Sequence, residues 1–263
     1  MKRLSYHYIA IVICCALTAS CKIEIDNYEV PDATIQGVIY DHNGQPLQLN
    51  HGAGYIRMRE VNWETGDSTV FIGNQTLRVQ QDGTYRHTKW FAGDYRMFPS
   101  NGNFYPYWAA DDTEKDGDDA GELVKISGVI TKDFTVTPYL TVEWVKTPTL
   151  TVDSCLECTV RFIRNQKDGF EMPDVKEAYL QVSRTVNASA GNNSEYFPSP
   201  MNLNNAMEGQ EITFRTVKAL KYTGINYWIR VTMNCQTASG KPETNYPGMG
   251  QANCSTIVMI YVP

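Results

Sequence analysis

The sequence predicts an all-β protein with two β-sandwich domains in tandem. Turn signals such as Asn43-Gly44 and Asp82-Gly83 recur about every eight to twelve residues, a spacing typical of sandwiches. The segments between them are rich in β-branched and aromatic residues, which favour strands, and no capped helical period interrupts them. With 263 residues, of which 42% are hydrophobic, the chain is long enough to bury two cores.

The chain begins with a predicted signal peptide, residues 1–20. Lys2 and Arg3 form a positive start, and Ile9 to Leu17 form an apolar run too short to span a bilayer permanently. The stretch Leu17-Thr18-Ala19-Ser20-Cys21 then resembles a bacterial lipobox, although Leu is usual where this chain has Thr18. The alternative is ordinary secretion, with cleavage at the small residues of that stretch.

Lipidation would make Cys21 the first residue of the mature chain and its membrane anchor. Buried acyl chains contribute about 0.8 kcal/mol per methylene, and two or more chains hold a soluble domain on a membrane. Residues 21–33 then form an acidic tether, which resembles the surface-export signal of lipoproteins in the Bacteroidota; a solvated linker would have the same composition. No later apolar run is long enough for a transmembrane helix. We therefore expect lipid attachment to the outer membrane, facing the cell surface.

The first predicted sandwich spans residues 34–145. Its predicted strands are Thr34–Asp41, Tyr55–Val61, Thr69–Ile72, Leu77–Gln80, Tyr85–Trp90, Tyr95–Phe98, Leu123–Ile126, Val129–Ile130 and Phe134–Val142. The order of strand and glycine turns resembles the carboxypeptidase-regulatory or transthyretin-like sandwich. The glycines of these turns are explained by backbone conformation alone.

The second predicted sandwich spans residues 146–263, because the strand pattern pauses at Pro148. Its predicted strands are Cys158–Ile163, Ala178–Ser183, Ile212–Arg215, Tyr227–Met233 and Ser255–Val262. The segment from Leu220 to Val231 resembles the turn between the fifth and sixth strands of an immunoglobulin or fibronectin type III domain, in which Tyr227 would tie the corner to the backbone. Tyr227, Ile229 and Val231 should then face the core, and Trp228 and Arg230 should face outward or the sheet edge.

Two further segments extend a resemblance over the whole chain. Asp26-Asn27-Tyr28-Glu29-Val30-Pro31-Asp32-Ala33-Thr34-Ile35-Gln36-Gly37 and Val136-Thr137-Pro138-Tyr139-Leu140 resemble the lipoprotein family called domain-of-unknown-function 3823. The resemblance implies a lipoprotein of gut Bacteroidota, often encoded beside a TonB-dependent transporter and its SusD-like glycan-binding partner. No catalytic residues of this family carry over.

The densest aromatic stretch, Phe104-Tyr105-Pro106-Tyr107-Trp108, lies between Asn101-Gly102 and Asp111-Asp112. Aromatic rings at a loop or strand end can stack on the apolar faces of sugars, so Phe104, Tyr105, Tyr107 and Trp108 are candidates for binding carbohydrate. The alternative is that they pack in the core or between the domains, as about half of any strand's side chains do.

The acidic segment that follows is a weak candidate for calcium. Asp112, Glu114 and Asp116, with Gly117, match the start of an EF-hand loop, in which carboxylate oxygens surround the ion. The glutamate expected at the twelfth position is missing and no flanking helices are predicted. A solvated acidic loop is the alternative, and no metal is expected elsewhere.

Four cysteines remain beyond the lipobox, namely Cys155, Cys158, Cys235 and Cys254. If Cys155 and Cys158 begin the first strand of the second sandwich while Cys235 ends the sixth and Cys254 begins the seventh, all lie at one end. An even number in an exported chain then predicts two disulfides. Zinc and free thiols are the alternatives, although the spacing lacks a second closely spaced pair.

Charge and motifs narrow the function. A net charge of −6 argues against nucleic acid and anionic lipid headgroups as partners. His42, His51 and His87 lie in no recognisable catalytic or metal motif, and no cofactor is expected. We therefore expect a non-enzymatic, lipid-anchored accessory protein of the cell surface that binds glycan in a polysaccharide-uptake system. The alternatives are a structural adaptor between transporter and SusD-like protein, and a hydrolase with an unrecognised site.

Overall fold

The computed structural model describes residues 30–61, 65–66, 71–107, 121–189, 195–237, 246 and 248–263, with backbone only at Phe71 and Ile72. Pro31–Pro263 forms one compact unit. The predicted signal peptide, the lipobox with Cys21 and most of the tether lie outside the described residues. In the part of the chain that is described, no helix is long and apolar enough to cross a bilayer.

The first sandwich is formed by strands β1 to β8. They are β1 (Ala33–Asp41), β2 (Tyr55–Val61), β3 (Phe71–Arg78), β4 (Thr84–Trp90), β5 (Gly93–Ser100), β6 (Glu122–Ile126), β7 (Val129–Thr131) and β8 (Phe134–Val136). One sheet has the order β4-β1-β7, with β8 also pairing with β1, and the other has the order β3-β2-β5-β6. Both β7 and β8 run parallel to β1.

The second sandwich is formed by strands β9 to β16. They are β9 (Leu140–Leu150), β10 (Leu156–Arg164), β11 (Asp174–Ser183), β12 (Met201–Asn202), β13 (Ile212–Arg215), β14 (Ile225–Gln236), β15 (Asn253–Cys254) and β16 (Val258–Val262), with a 3₁₀ turn at Asn205–Met207. One sheet has the order β13-β10-β9, and the other has the order β12-β11-β14-β15, with β16 also pairing with β14. The predicted all-β fold class is confirmed.

Each sandwich buries its own hydrophobic cluster because side chains alternate between the two faces of each strand. In β1, Ile35 and Ile39 point into the first cluster. In β10, Cys158, Val160 and Phe162 point into the second. All five side chains are at most 2% exposed.

Strand β9 departs from the sequence expectation. Its residues Leu140 and Val142 lie in the second core and pair with β10, so the expected boundary between residues 145 and 146 falls within one continuous strand. Pro148 does not end this strand. It lies where the register between β9 and β10 shifts, on an edge strand, where a residue without an N–H is tolerated.

The predicted tyrosine corner is present. Tyr227, Ile229 and Val231 are completely buried in the second core. The Tyr227 hydroxyl accepts a hydrogen bond of 3.1 Å from the backbone N–H of Tyr222. This contact ties the turn before β14 to the strand that follows it.

Candidate functional site

Two of the four proposed sugar-stacking residues are buried, so the platform predicted for the aromatic stretch is wrong for them. Phe104 is 2% exposed in the first core, and Tyr105 is 1% exposed in the second. The Tyr105 hydroxyl donates to the Asn165 carbonyl at 2.8 Å, and its ring lies 4.8 Å from that of Tyr139. These two side chains pack in the cores, which was the alternative left open.

Tyr107, the third candidate in the described residues, is held by contacts within the first sandwich. Tyr107 is half-buried against the Phe134 ring at 6.1 Å, and its hydroxyl donates to Glu122 at 3.1 Å. Burial raises the Tyr107 pKa to about 12, with a further contribution from the Glu122 charge. Trp108 and the calcium candidates Asp112, Glu114 and Asp116 lie outside the described residues.

The four cysteines are free, buried thiols, which corrects the predicted disulfides. The cause is strand β9: because it is the first strand of the second sandwich, Cys155 precedes the second strand rather than the first. Ser154 beside it accepts a hydrogen bond from Leu220, just before β14, whereas Cys235 lies near the other end of β14. A strand of this length spans roughly 30 Å, and bridged cysteines need Cα atoms within about 7 Å.

Cys235 and Cys254 are also directed to opposite faces of their sheet. Cys254 pairs with Thr232, and Cys235 follows Thr232 by three residues, which reverses the face. Cys235 lies in the second core, and burial raises its pKa to about 12. Within the described residues no group of three or more His, Cys, Asp or Glu side chains could hold a metal ion.

The outer face of β14 packs against the first sandwich through the buried side chain of Arg230. Arg230 is 0% exposed. Its Nη1 donates to the Leu49 carbonyl at 2.8 Å, and its Nη2 donates to the Ser255 carbonyl at 2.9 Å. Arg230 therefore joins the two sandwiches, whereas the sequence placed it outward or at an edge without predicting its burial.

Asn103 continues this junction, and Asn253, which follows Ala252 in the chain, links two strands of the second sandwich. The Asn103 Nδ2 donates to the carbonyls of Gln48 at 3.0 Å and Ala252 at 3.1 Å. The Asn253 Oδ1 accepts from the Leu140 N–H at 3.0 Å. The Asn103 Oδ1 is buried and has no hydrogen-bond partner among the described residues.

A groove of about 260 Å³ opens beside this junction. We call it the interdomain groove. The side chains that bear on ligand binding are contributed by the first sandwich and by β9, and they are Asp41, Gln45, Gln48, Asn103, Glu143 and Trp144. An apolar wall beside a few polar groups is the usual composition of a small-ligand site.

Trp144 forms the aromatic wall of the groove. Its indole Nε1 donates to the Thr256 carbonyl at 3.0 Å, and part of the ring packs against the second core. This hydrogen bond fixes the orientation of the ring, while the half-exposed remainder stays accessible. A ring held in this way can stack without a large loss of side-chain entropy.

The free edge of β9 adds backbone groups to the groove. The Leu140 N–H points away from β10, toward Asn253. Because hydrogen-bonding directions alternate along an antiparallel strand, the N–H and C=O of Val142 also point away from β10. Val142 lines the groove, so this edge offers a donor and an acceptor beside Trp144.

The groove is acidic. The Asp41 carboxylate is 8% exposed, and its Oδ1 accepts from the N–H groups of Asn43 and Gln45, both at 2.8 Å. Glu143 is exposed. The described side chains lining the groove include these two carboxylates and no Lys, Arg or His.

A second depression, of about 530 Å³, lies on the outer face of β1 and β4 and includes Gln36, Tyr40, Arg86 and Asp133. Its polar groups are partly used within the fold. Asp133 accepts from the Val38 N–H at 2.8 Å, and Gln36 donates to Thr131 at 3.3 Å. We therefore favour the interdomain groove, where a buried acceptor is left without a partner.

Sequence reasoning did not select the groove residues. Trp144 was assigned to the end of the first domain, and neither Asn103 nor Asp41 belongs to a motif. The one available signal was an isolated tryptophan beside a carboxylate at the predicted boundary between two sandwiches, since ligand sites often lie between domains.

Comparison with known families finds a match for the first sandwich. Residues 33–137 match the family described as "Protein of unknown function (DUF3823) N-terminal domain". This segment of the chain is therefore similar to the DUF3823 N-terminal domain. The matched segment ends three residues before β9, so Glu143 and Trp144 of the interdomain groove lie outside it.

Solved structures resemble the chain over both sandwiches. A DUF3823 family protein from Bacteroides uniformis is 21% identical, with a TM-score of 0.69, over 89% of this chain and 100% of its own. A protein from the same organism named "putative carbohydrate binding protein" is 23% identical, with a TM-score of 0.59, over 88% and 100%. A DUF3823 family protein from Parabacteroides merdae is 17% identical, with a TM-score of 0.60, over 88% and 100%.

At these identities the similarity shows a common fold for this chain and these three structures. Neither the family nor these three relatives is named as an enzyme. A search of curated proteins finds no match.

Proposed function

We propose that the protein is a non-enzymatic accessory component of a polysaccharide-uptake system, anchored by lipid at Cys21 to the outer membrane and facing the cell surface, and that it binds glycan in the interdomain groove. The observation that carries the binding role is that the partly exposed Trp144 ring lines the same groove as Asn103, whose buried Oδ1 has no partner among the described residues. The fold shared with a relative named for carbohydrate binding supports it.

The groove matches the chemistry of a sugar ring. One face of a pyranose carries mostly C–H groups and stacks on an indole, while the hydroxyls at its edge need donors and acceptors. The Gln45 and Gln48 amides, the Asn103 Oδ1 and the Val142 backbone supply both. A volume of about 260 Å³ is slightly below that of typical pockets for drug-sized ligands, so a short segment of a longer glycan would be held there.

The test is retention by soluble polysaccharides in affinity gel electrophoresis, using a form with Cys21→Ala. Trp144→Ala should reduce retention at least tenfold, because the stacking surface is removed. Trp144→Phe should keep most of it, because a ring remains although the hydrogen bond to Thr256 is lost. Tyr261→Ala is the matched control, since Tyr261 is 58% exposed on β16 and does not line the groove.

Melting temperatures of all variants would separate lost binding from lost folding. Retention of folded Trp144→Ala at the wild-type level would reject the groove as the glycan site. If none of a panel of neutral polysaccharides retains the wild-type protein, the glycan-binding role is rejected.

The adaptor alternative is favoured by a different observation. Met259 and Tyr261, on the outer face of β16, are 56% and 58% exposed. An apolar strip of this kind can contact a protein partner such as a TonB-dependent transporter or SusD-like protein. Loss of co-purification with those proteins in a Met259→Ser, Tyr261→Ser variant that still binds glycan would favour this role.

A further inference from the structure

We infer that the interdomain groove selects uncharged glycan chains and rejects chains that carry carboxylates, such as those containing uronic acids. The inference rests on the proposed glycan-binding function and specifies its ligand class. Two independent features lead to it. Asn103, which lines the groove, has a buried Oδ1 without a hydrogen-bond donor, and both charged side chains that line the groove are acidic.

The Asn103 Oδ1 defines what the groove needs from a ligand. Asn103 is 1% exposed, and both hydrogen bonds from its Nδ2 fix the amide, so the Oδ1 cannot be exchanged with the nitrogen without losing them. A buried acceptor of this kind is satisfied only by a donor. The hydroxyls along a glycan chain are such donors, so Asn103 favours a polyhydroxylated ligand, and the discrimination against charge comes from the two carboxylates.

The two carboxylates oppose an anionic ligand. Asp41 cannot turn away from the groove, because its Oδ1 holds the N–H groups of Asn43 and Gln45. Its charge is poorly screened at 8% exposure. Glu143 lies opposite Arg161 across β9 and β10, but the Arg161 Nη2 lies 3.9 Å from Glu211 and Arg161 does not line the groove. Like charges in a partly desolvated site discriminate strongly between ligands.

The experiment compares a polysaccharide with its own charged derivative, so that linkage and chain shape stay constant. A neutral polysaccharide that retains the Cys21→Ala form is partly oxidised at its primary hydroxyls to carboxylates, and a portion of the product is converted to methyl esters. At low salt we expect the dissociation constant of the oxidised polymer to be at least tenfold higher than that of the parent. The methyl esters should restore most of the binding, because they remove the charge but keep the added atoms.

Glu143→Gln tests the source of the selectivity. The ratio of the dissociation constant of the oxidised polymer to that of the parent polymer should be several-fold smaller in this variant than in the wild type. Glu157→Gln is the matched control, because Glu157 is also exposed on this sheet but does not line the groove. Added salt should narrow the difference between the two polymers in the wild type.

Equal binding of the parent and oxidised polymers by the wild type would overturn the inference and leave the glycan-binding function standing. Weak binding of the methyl esters, equal to that of the oxidised polymer, would also overturn it, because the loss would then come from the missing hydroxyl or from added bulk. Failure of the wild type to bind any parent polysaccharide would instead reject the proposed function.

Discussion

Arg230 is the largest completely buried side chain among the described residues. Its guanidinium lies between the two sandwiches, and its hydrogen-bond acceptors are the carbonyls of Leu49 and Ser255, with the Gln81 Oε1 and the Ala188 carbonyl at 3.5 Å. A guanidinium suits such a site better than the ammonium group of a lysine, because it is planar and donates several hydrogen bonds in fixed directions. Arg230 thus holds the first sandwich against β14, together with the Asn103 hydrogen bond to Ala252.

Replacing Arg230 by Ala should lower the free energy of unfolding by about 3 kcal/mol or more, because it leaves buried carbonyls without donors and opens a cavity. Urea unfolding followed by tryptophan fluorescence measures the loss. Arg215→Ala is the matched control: Arg215 pairs with Asp153 at the surface, where such pairs contribute at most about 1 kcal/mol. Equal effects of the two substitutions would contradict the structural role assigned to Arg230.

The cysteines give a second prediction at the level of single residues. Burial raises the pKa of both Cys158 and Cys235 to about 12, so at pH 8 both remain protonated thiols that react slowly with iodoacetamide. The native Cys21→Ala form should therefore label slowly at these positions. After denaturation without reductant, intact mass should show alkylation of Cys155, Cys158, Cys235 and Cys254. Missing labels that appear only after reduction would indicate disulfides.

Among the elements, β1 carries the tightest backbone approach. Its residue Gly37 packs against the connection between β7 and β8, and a Cβ at Gly37 would overlap the carbonyl oxygen of Lys132 in that connection. The same carbonyl accepts a hydrogen bond from the buried Tyr85 hydroxyl, and burial raises the Tyr85 pKa. Glycine is therefore required here by close packing and not by a positive φ angle.

Gly37→Ala should lower the free energy of unfolding by about 2 to 3 kcal/mol, a typical result of overpacking. The substitution forces β1 away from Lys132 or displaces Tyr85. Gly250→Ala serves as the control, because a Cβ at Gly250 meets no atom within 4 Å, and its effect should stay within about 0.5 kcal/mol. Thermal and urea unfolding measure both variants, and a neutral Gly37→Ala would show that the backbone there yields freely.

Strand prediction succeeded where apolar and polar residues alternate strongly, and it failed where one predicted strand runs from the first sandwich into the second. The bounds predicted for β2 and β13, Tyr55–Val61 and Ile212–Arg215, are those observed. The predicted strand Phe134–Val142 is instead divided between β8 and β9. Period-2 alternation reports that a segment is half-buried, but it does not report which of two cores the segment faces.

For the whole molecule, attachment to the membrane depends on a residue outside the described structure. If Cys21 carries the lipid, Cys21→Ala should move the protein from the membrane fraction to the soluble fraction, with an unchanged melting temperature. Cell fractionation with immunoblotting measures the distribution. The signal peptide must otherwise stay unchanged, so that export is not affected. Persistence of the Cys21→Ala protein in washed membranes would contradict the lipid anchor.

The candidate site also belongs to the scale of the whole molecule. Asp41 and Asn103 lie in the first sandwich, whereas Glu143 and Trp144 lie on β9, about 40 to 100 positions later in the chain. No local pattern joins them, and each alone has an ordinary structural explanation. The buried aromatic stretch illustrates the reverse case, since its composition suggested a ligand surface that burial of Phe104 and Tyr105 excludes.

The sequence by itself determined the fold class, most strands and the tyrosine corner, because alternation, turn residues and a tyrosine at a fixed offset are local properties of the chain. Only the tertiary structure decided which aromatic rings are accessible, that the cysteines lie too far apart or on opposite faces to pair, and that Arg230 and the interdomain groove lie between the sandwiches. These properties depend on how the two sandwiches pack against each other, and that packing brings together residues distant in sequence.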